Sequence, residues 1–219
     1  MEPYTNSSVV ENRLCNPSLC PSGHIIQDPA TGLSHPYLPD VRDDTNPSNS
    51  RSDTIIVSIH GASKRNGQAG AKAAYSLFFG EASKFNTANY LPKAISHKSQ
   101  SAQLYACQRA IEVVEDVVIQ NHNANVKTVI VKTDSSYLVK CLSKFVFDWE
   151  QNGYLNVHGN PLINRIAIEK IHSLLVESVR EDRARYQFWL VDIADNSDAI
   201  TLAKGVYERF VDIFSYAWA

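Results

Sequence analysis

The chain has 219 residues, 44% of them apolar and 20% charged, with a net charge of −2 and a pI near 6.4. This is one good-sized globular domain with a tail. It excludes the global basic field that drives non-specific binding to nucleic acid or membranes, so a polyanion needs a local patch. No apolar run approaches the roughly 20 residues of a membrane span, and Met1-Glu2-Pro3-Tyr4 lacks the basic and apolar regions of a signal peptide; the chain reads as intracellular.

Residues 1–52 are rich in Pro, Ser, Asn and Asp without a sustained period, which predicts an extended or disordered leader. Its apolar pairs Ile25-Ile26 and Tyr37-Leu38 can lie along the body as an arm. Cys15 and Cys20, with His24 and His35 further on, offer two thiolates and two imidazoles for a small zinc site; unbound thiols or a disulfide are the alternatives. Cys107 and Cys141 fall inside apolar-periodic helices and read as core.

The folded domain is expected over residues 53–210, with a short tail at 211–219. Thr54 to His60 is dense in β-branched residues and predicts a strand, closed by Gly61 and a polar loop through Asn66-Gly67, a hairpin signal. Ala73 to Phe79 reads as a second strand. A third, around Asn89 to Ile95, is interrupted by Pro92, which suits a sheet edge. From Ser101 to about Ile119 the apolar residues Leu104, Cys107, Ile111, Val114 and Val118 recur at three and four. Arg109, Glu112, Glu115 and Asp116 take the other side, so a core-packed helix is predicted.

The most informative stretch is Thr128-Val-Ile-Val-Lys-Thr-Asp-Ser-Ser-Tyr-Leu-Val139, a strand that delivers Asp134 to its own C-terminal end ahead of a short helix. The crevice outside the strand ends is where an open α/β sheet binds ligands, so Asp134 is a site candidate; the alternative is that it merely caps the next helix. A loop with Trp149, Asn152-Gly153-Tyr154 and Gly159-Asn160-Pro161 leads to a helix from about Asn164 to Val179. A fifth strand from Tyr186 to Val191 and a helix from Asp198 to about Phe210 follow. Three strands, helix, strand, helices, strand, helix imply an α/β fold: a five-stranded mixed sheet with helices packed on both faces.

Four segments together resemble ribonuclease H type 1 over roughly residues 54–206. They are Ile59-His-Gly-Ala62 with Asn66-Gly67, then Thr133-Asp-Ser-Ser-Tyr-Leu138, then Trp149 with Asn152-Gly153-Tyr154 and Gly159 to Arg165, and Leu202-Ala-Lys204. The resemblance implies a ribonuclease H-like fold and, for the family, cleavage of the RNA strand of an RNA–DNA hybrid by two divalent ions, Mg or Mn. Four carboxylates hold these ions, from the first strand, the first helix, the fourth strand and the last helix. Two dications about 4 Å apart repel unless several anionic oxygens neutralise them.

Placed on this sequence, the first-strand acid falls on His60 and the first-helix acid on Gln103. The fourth-strand acid is present as Asp134, and the last falls on Ile200, with Asp198 or Asp195 as substitutes. Imidazole suits zinc and other borderline metals better than Mg²⁺. The expected function is therefore a catalytically degenerate module that binds RNA–DNA hybrid or RNA, or acts as a scaffold for a protein partner, as a monomer. Expected backbone contacts come from Asn66, Lys98, Ser99, Gln100 and Ser135, with Lys64, Arg65 and Lys72 as a basic rim. Trp149 and Tyr154 offer stacking faces or core packing. Two alternatives are a residual nuclease using His60, Asp134 and Asp198, and a crevice of His60, Gln103 and Asp134 turned to acid–base chemistry on a small molecule.

Overall fold

A computed structural model describes residues 13–15, 25–37, 53–121 and 125–215, with the backbone alone for 120, 121 and 209–215. Its strands are β1 (Ile25–Asp28), β2 (Leu33–Pro36), β3 (Thr54–Lys64), β4 (Lys72–Phe78), β5 (Thr87–Tyr90), β6 (Thr128–Thr133) and β7 (Arg185–Leu190). Helices α1 (Ser99–Val113), α2 (Ser136–Lys140), α3 (Val146–Gln151), α4 (Arg165–Arg180) and α5 (Ser197–Ser215) pack around them. A π-helical stretch, Val114–Asn121, continues α1; a second, Cys141–Phe145, joins α2 to α3; and a 3₁₀ turn, Ile193–Asn196, precedes α5.

The five main strands lie in the order β5-β4-β3-β6-β7, with β3–β4 and β4–β5 antiparallel and β3–β6 and β6–β7 parallel. β3 is central because it carries the densest β-branched run. Its residues alternate between faces: Ile55, Val57 and Ile59 join the large core under α1 and α4, while Ile56 faces the opposite layer with Ile130 and Trp189. On that opposite side α5 is tied to the sheet where the Ser76 hydroxyl donates to the Ala199 carbonyl at 2.6 Å and the Tyr207 hydroxyl to the Ala62 carbonyl at 2.9 Å. The mixed sheet with helices on both faces is as the sequence implies.

Several elements differ from expectation, each for a local reason. β3 does not stop at Gly61: that residue pairs in register with Tyr75, and the hairpin continues to Lys64 opposite Lys72. Gly61 is glycine because α1 crosses over it; a Cβ there would stand 2.3 Å from the Ala102 carbonyl carbon. β5 ends at Tyr90, before Pro92, which has no N–H to donate. In the Pro/Ser/Asn-rich leader, expected to be extended or disordered, two short extended strands pair along the body. β3 extends past the end of β4, since Ser58↔Phe78 is their last pair, and Ser34 of β2 pairs with Ile56 in the space left. Gln27 of β1 secures that hairpin, exchanging hydrogen bonds with both backbone groups of Glu81. Residues 13–15 bridge to the outer edge of β7. No helix among the described residues is long and apolar enough to cross a membrane.

Candidate functional site

The site forms where β3 and β6, parallel neighbours, end side by side. The β3–β4 hairpin fixes the start of α1: the Ser63 hydroxyl donates to the His97 carbonyl (2.7 Å), the Ala73 N–H to His97 Nδ1 (2.9 Å), and the Ser99 N–H to Asn66 Oδ1 (3.1 Å). Asn66 thereby satisfies one of the unpaired amides at the helix start. With α1 seated on Gly61, Gln103 reaches the end of β6, where its Oε1 accepts from the Ser135 hydroxyl at 2.7 Å. Ser135 Oγ in turn accepts from the Leu138 N–H at 3.2 Å and caps α2. Because Ser135 does the capping, the Asp134 carboxylate is available for other partners.

Those partners are His60 and Asn196. His60 Nδ1 lies 3.0 Å from Asp134 Oδ1, and Asn196 Nδ2 donates to the same oxygen at 2.7 Å and to the Ile59 carbonyl at 3.0 Å. A carboxylate only accepts, so the Nδ1 proton points at Asp134 and a neutral His60 keeps its lone pair on Nε2. Burial alone would raise the Asp134 pKa, but the His60 hydrogen bond and charge and the Asn196 amide hold it below the ordinary value of 3.8. Asn196 is 1% exposed, and its Oδ1 is buried without a partner among the described residues. A flipped amide would put N–H groups elsewhere and oxygen against two acceptors, so the orientation is fixed by its partners.

This donor set does not fit two hard dications. It offers one carboxylate, one imidazole and two amides, and two N–H groups already point at one of the two carboxylate oxygens. Mg²⁺ needs anionic oxygens in near-octahedral array. Among the described residues no group of three or more His, Cys, Asp or Glu side chains is placed to hold a metal ion.

Of the predicted site residues, His60, Gln103, Asp134 and Ser135 come together, and Asp198 does not. Asp198 is exposed at the start of α5; burial lowers the pKa of Lys132, and Asp198 and Asp195 only partly pull it back up. Asn196 and Asp198 are separated by about 200° around a helix start, so only one can face the crevice. Ile200, where the family acid falls, is buried instead. Asn196 is the residue that sequence reading misses, since nothing in Asp192-Ile-Ala-Asp-Asn-Ser197 marks it above its acidic neighbours. A second missed contact lies beside Gln103: the Ser101 hydroxyl donates to Asn164 Oδ1 at 2.9 Å, with Asn164 held at φ 64.

Lys64, Arg65, Lys72, Lys98 and Gln100 are exposed along the hairpin tip and α1 start, with Lys64 Nζ 4.4 Å from the Tyr207 ring centroid. Trp149 lies in α3, not a loop, and packs partly buried against the core; Tyr154 is buried. Tyr154 therefore presents no open stacking face. Of the zinc candidates, Cys20 and His24 lie outside the described residues. Cys15 is buried with Ile56, Ile130 and Trp189, and His35 Nδ1 stands 2.8 Å from the Thr54 carbonyl.

A family model described as RNase H matches residues 52–188. Human ribonuclease H1 is 25% identical over 122 residues, covering 54% of this chain and 40% of the human protein, so the chain spans about two-fifths of that relative's length. A ribonuclease H1 isolated from compost by a metagenomic approach superposes with a TM-score of 0.51 at 15% identity, over 73% of this chain and 99% of that one. A foamy viral protease–reverse transcriptase, solved in complex with RNA/DNA hybrid, matches with a TM-score of 0.50 at 17% identity, over 77% of this chain and 22% of that one. These structural likenesses speak to the fold, and the family model spans more than half of the sequence; the chain belongs to the RNase H family.

Proposed function

We propose that this chain is a nucleic-acid-binding module of the RNase H fold that does not carry out two-metal cleavage. The observation that carries the reading is the state of Asp134, the one family acid retained: its Oδ1 is already engaged by His60 and Asn196. Binding is assigned to the hairpin tip and α1 start, where exposed Arg65 and Lys98 adjoin Asn66 and Ser99, joined by their hydrogen bond, and Lys64 and Lys72 continue the basic rim toward α5, over the Tyr207 and Tyr90 rings. Such groups position a phosphate backbone without reading bases. Support for hybrid or RNA as ligand comes from the names of the relatives: ribonuclease H1, and a reverse transcriptase solved with an RNA/DNA hybrid.

The test has two arms. Fluorescence titration at moderate salt with hybrid, double-stranded RNA and single strands is expected to show binding that weakens about three- to tenfold when Lys72 and Lys98 are both changed to Ala, as lost phosphate contacts do. Cleavage of hybrid in Mg²⁺, Mn²⁺ and Zn²⁺ is expected to be indistinguishable between the native chain and Asp134→Asn. A metal-dependent rate that Asp134→Asn abolishes would establish a nuclease instead.

A second reading rests on the fixed tautomer of His60, which leaves Nε2 as a base at the strand ends. It assigns the crevice to acid–base chemistry on a small molecule, and it fails if His60→Gln leaves every ligand-induced shift in melting temperature unchanged across a metabolite panel.

A further inference from the structure

Arg13 is an arginine with almost no access to water, 4% exposed, on a segment that bridges to the outer edge of β7 at Leu14 and Phe188. The backbone holds it by two bonds: Cys15 N–H donates to the Phe188 carbonyl at 3.0 Å, and Phe188 N–H donates to the Arg13 carbonyl at 2.7 Å. The side chain then runs inward. Its Nη1 donates to the Leu142 carbonyl at 2.9 Å and lies 3.1 Å from His172 Nδ1, with the guanidinium carbon 4.9 Å from the Phe147 ring centroid. Its Nη2 is buried with no partner among the described residues.

A guanidinium can only donate, so His172 Nδ1 accepts and the single proton of a neutral imidazole sits on Nε2. That nitrogen stands 3.3 Å from Glu150 Oε2. The relay is cation, neutral imidazole, carboxylate. It works only while His172 is neutral, because a proton on Nδ1 would remove the acceptor of Nη1 and set two cations about 3 Å apart in a nearly dry site. The groups facing this pair are Glu150 from α3, Cys107 from α1 and Tyr154 from the loop after α3. Burial pushes the Cys107 thiol and the Tyr154 hydroxyl each up to about 12, so both stay neutral. Glu150 is the one facing anion, and at 58% side-chain exposure it is screened by water.

We infer that residues 13–15 form a proton-sensitive strap, which His172 holds across the edge of β7 at neutral pH and releases when it takes up a second proton. Release bares the β7 edge and uncovers Trp189, Ile56 and Ile130, against which Cys15 packs. The sign follows from what the strap does to His172. Docked, it removes water and brings up Arg13, and these depress the imidazole below its ordinary 6.5. Released, His172 regains water and loses the cation, so protons favour the released form. The docked form is therefore fully favoured above about pH 6.5 and loses up to about tenfold in population ratio per pH unit below it. This inference stands independently of what the strand-end crevice binds.

Hydrogen exchange of the full chain, corrected for the chemical rate, tests it at the amides of Cys15 and Phe188. Between pH 7.5 and 5.5 protection at both is expected to fall by several-fold to tenfold. His172→Gln, whose amide can accept from Arg13 and donate to Glu150 but does not titrate, is expected to hold protection constant over that range. Constant protection in the native chain, or an equal fall in His172→Gln, overturns the strap. Should His172→Gln not fold, a proton NMR titration of the His172 ring decides: Arg13→Met is expected to raise its midpoint, and an unmoved midpoint overturns the inference.

Discussion

Two carboxylates sit at opposite ends of the parallel strands β6 and β7, and they are built differently. Glu115, 5% exposed, faces the N-terminal ends, where the Ser178 and Tyr186 hydroxyls donate to its Oε1 at 2.6 and 2.8 Å and Arg183 Nη1 stands 3.0 Å from its Oε2. Burial and the nearby Glu115 hold Tyr186 well above its ordinary pKa, so it remains a donor. This cluster bolts the π-helical end of α1 to α4 and β7. Asp134, at the C-terminal ends, has its ties on one oxygen and keeps 12% of its side chain open to solvent. Burial of charge is common to both; what separates a candidate site from a structural bolt is the open side and the place at the strand ends.

The contrast predicts unequal costs. Gly61→Ala is expected to have the largest effect on the crevice end, about 4 kcal/mol or outright loss of folding, because the new methyl would stand well inside contact distance of the α1 backbone at Ala102 and Gln103, which has no flexible end to give way. Urea denaturation measures it, and a loss under 1 kcal/mol would show that α1 is free to lift. Glu115→Ala follows at about 3 kcal/mol, since it takes the acceptor from the buried Tyr186 hydroxyl and one of two carboxylates from Arg183, while Ser178 keeps the Ala184 carbonyl. If it costs no more than a surface substitution, the two ends are not different in kind.

Asn196→Ala ranks third, at about 2 kcal/mol, because it leaves the Ile59 carbonyl without its side-chain donor and takes one of two donors from Asp134. The informative companion is the triple change His60→Asp, Gln103→Glu, Asn196→Asp. Rebuilding the carboxylates is expected to lower stability in EDTA and restore part of it with Mn²⁺, read as a shift in melting temperature. A triple variant indifferent to Mn²⁺ would mean that residues beyond these govern the loss of the metal site.

Much of this architecture is legible in the sequence because it rests on period and composition. The β-branched runs 54–60 and 128–133 mark the two strands that meet at the site, and the Ser135–Ser136 hydroxyls mark the helix after Asp134. What is illegible depends on departures from ideal geometry. Glu115 reads as solvent-facing on a straight helix of about 3.6 residues per turn; the wider π-helical turns from Val114 onward break that phase and bring it inward. Asn196 and Asp198 differ only by where a 3₁₀ turn hands over to α5, which no pattern announces. Strands of four residues such as β1 and β2 carry too few side chains for a period to show, and Arg13 finds its histidine across 159 positions of sequence.

The smallest predicted effect is the most discriminating. Asp134→Asn keeps the shape of the side chain and lets its amide oxygen accept from Asn196 or His60, so at neutral pH it is expected to cost only about 1 kcal/mol. The charge shows in the pH dependence. Asp134 is held below 3.8 in the folded chain. Its contribution is therefore complete above that value and is lost as the pH falls through the lower native one. The native chain and Asp134→Asn should thus converge in stability toward acid, where the native carboxyl also becomes neutral. Parallel stability curves down to pH 2 would mean that the His60–Asp134 pair carries no net charge stabilisation and that the crevice is held by packing and hydrogen bonds alone. Convergence would show that the carboxylate serves the fold through its charge, as Glu115 does at the other end, while keeping the open side that Glu115 lacks.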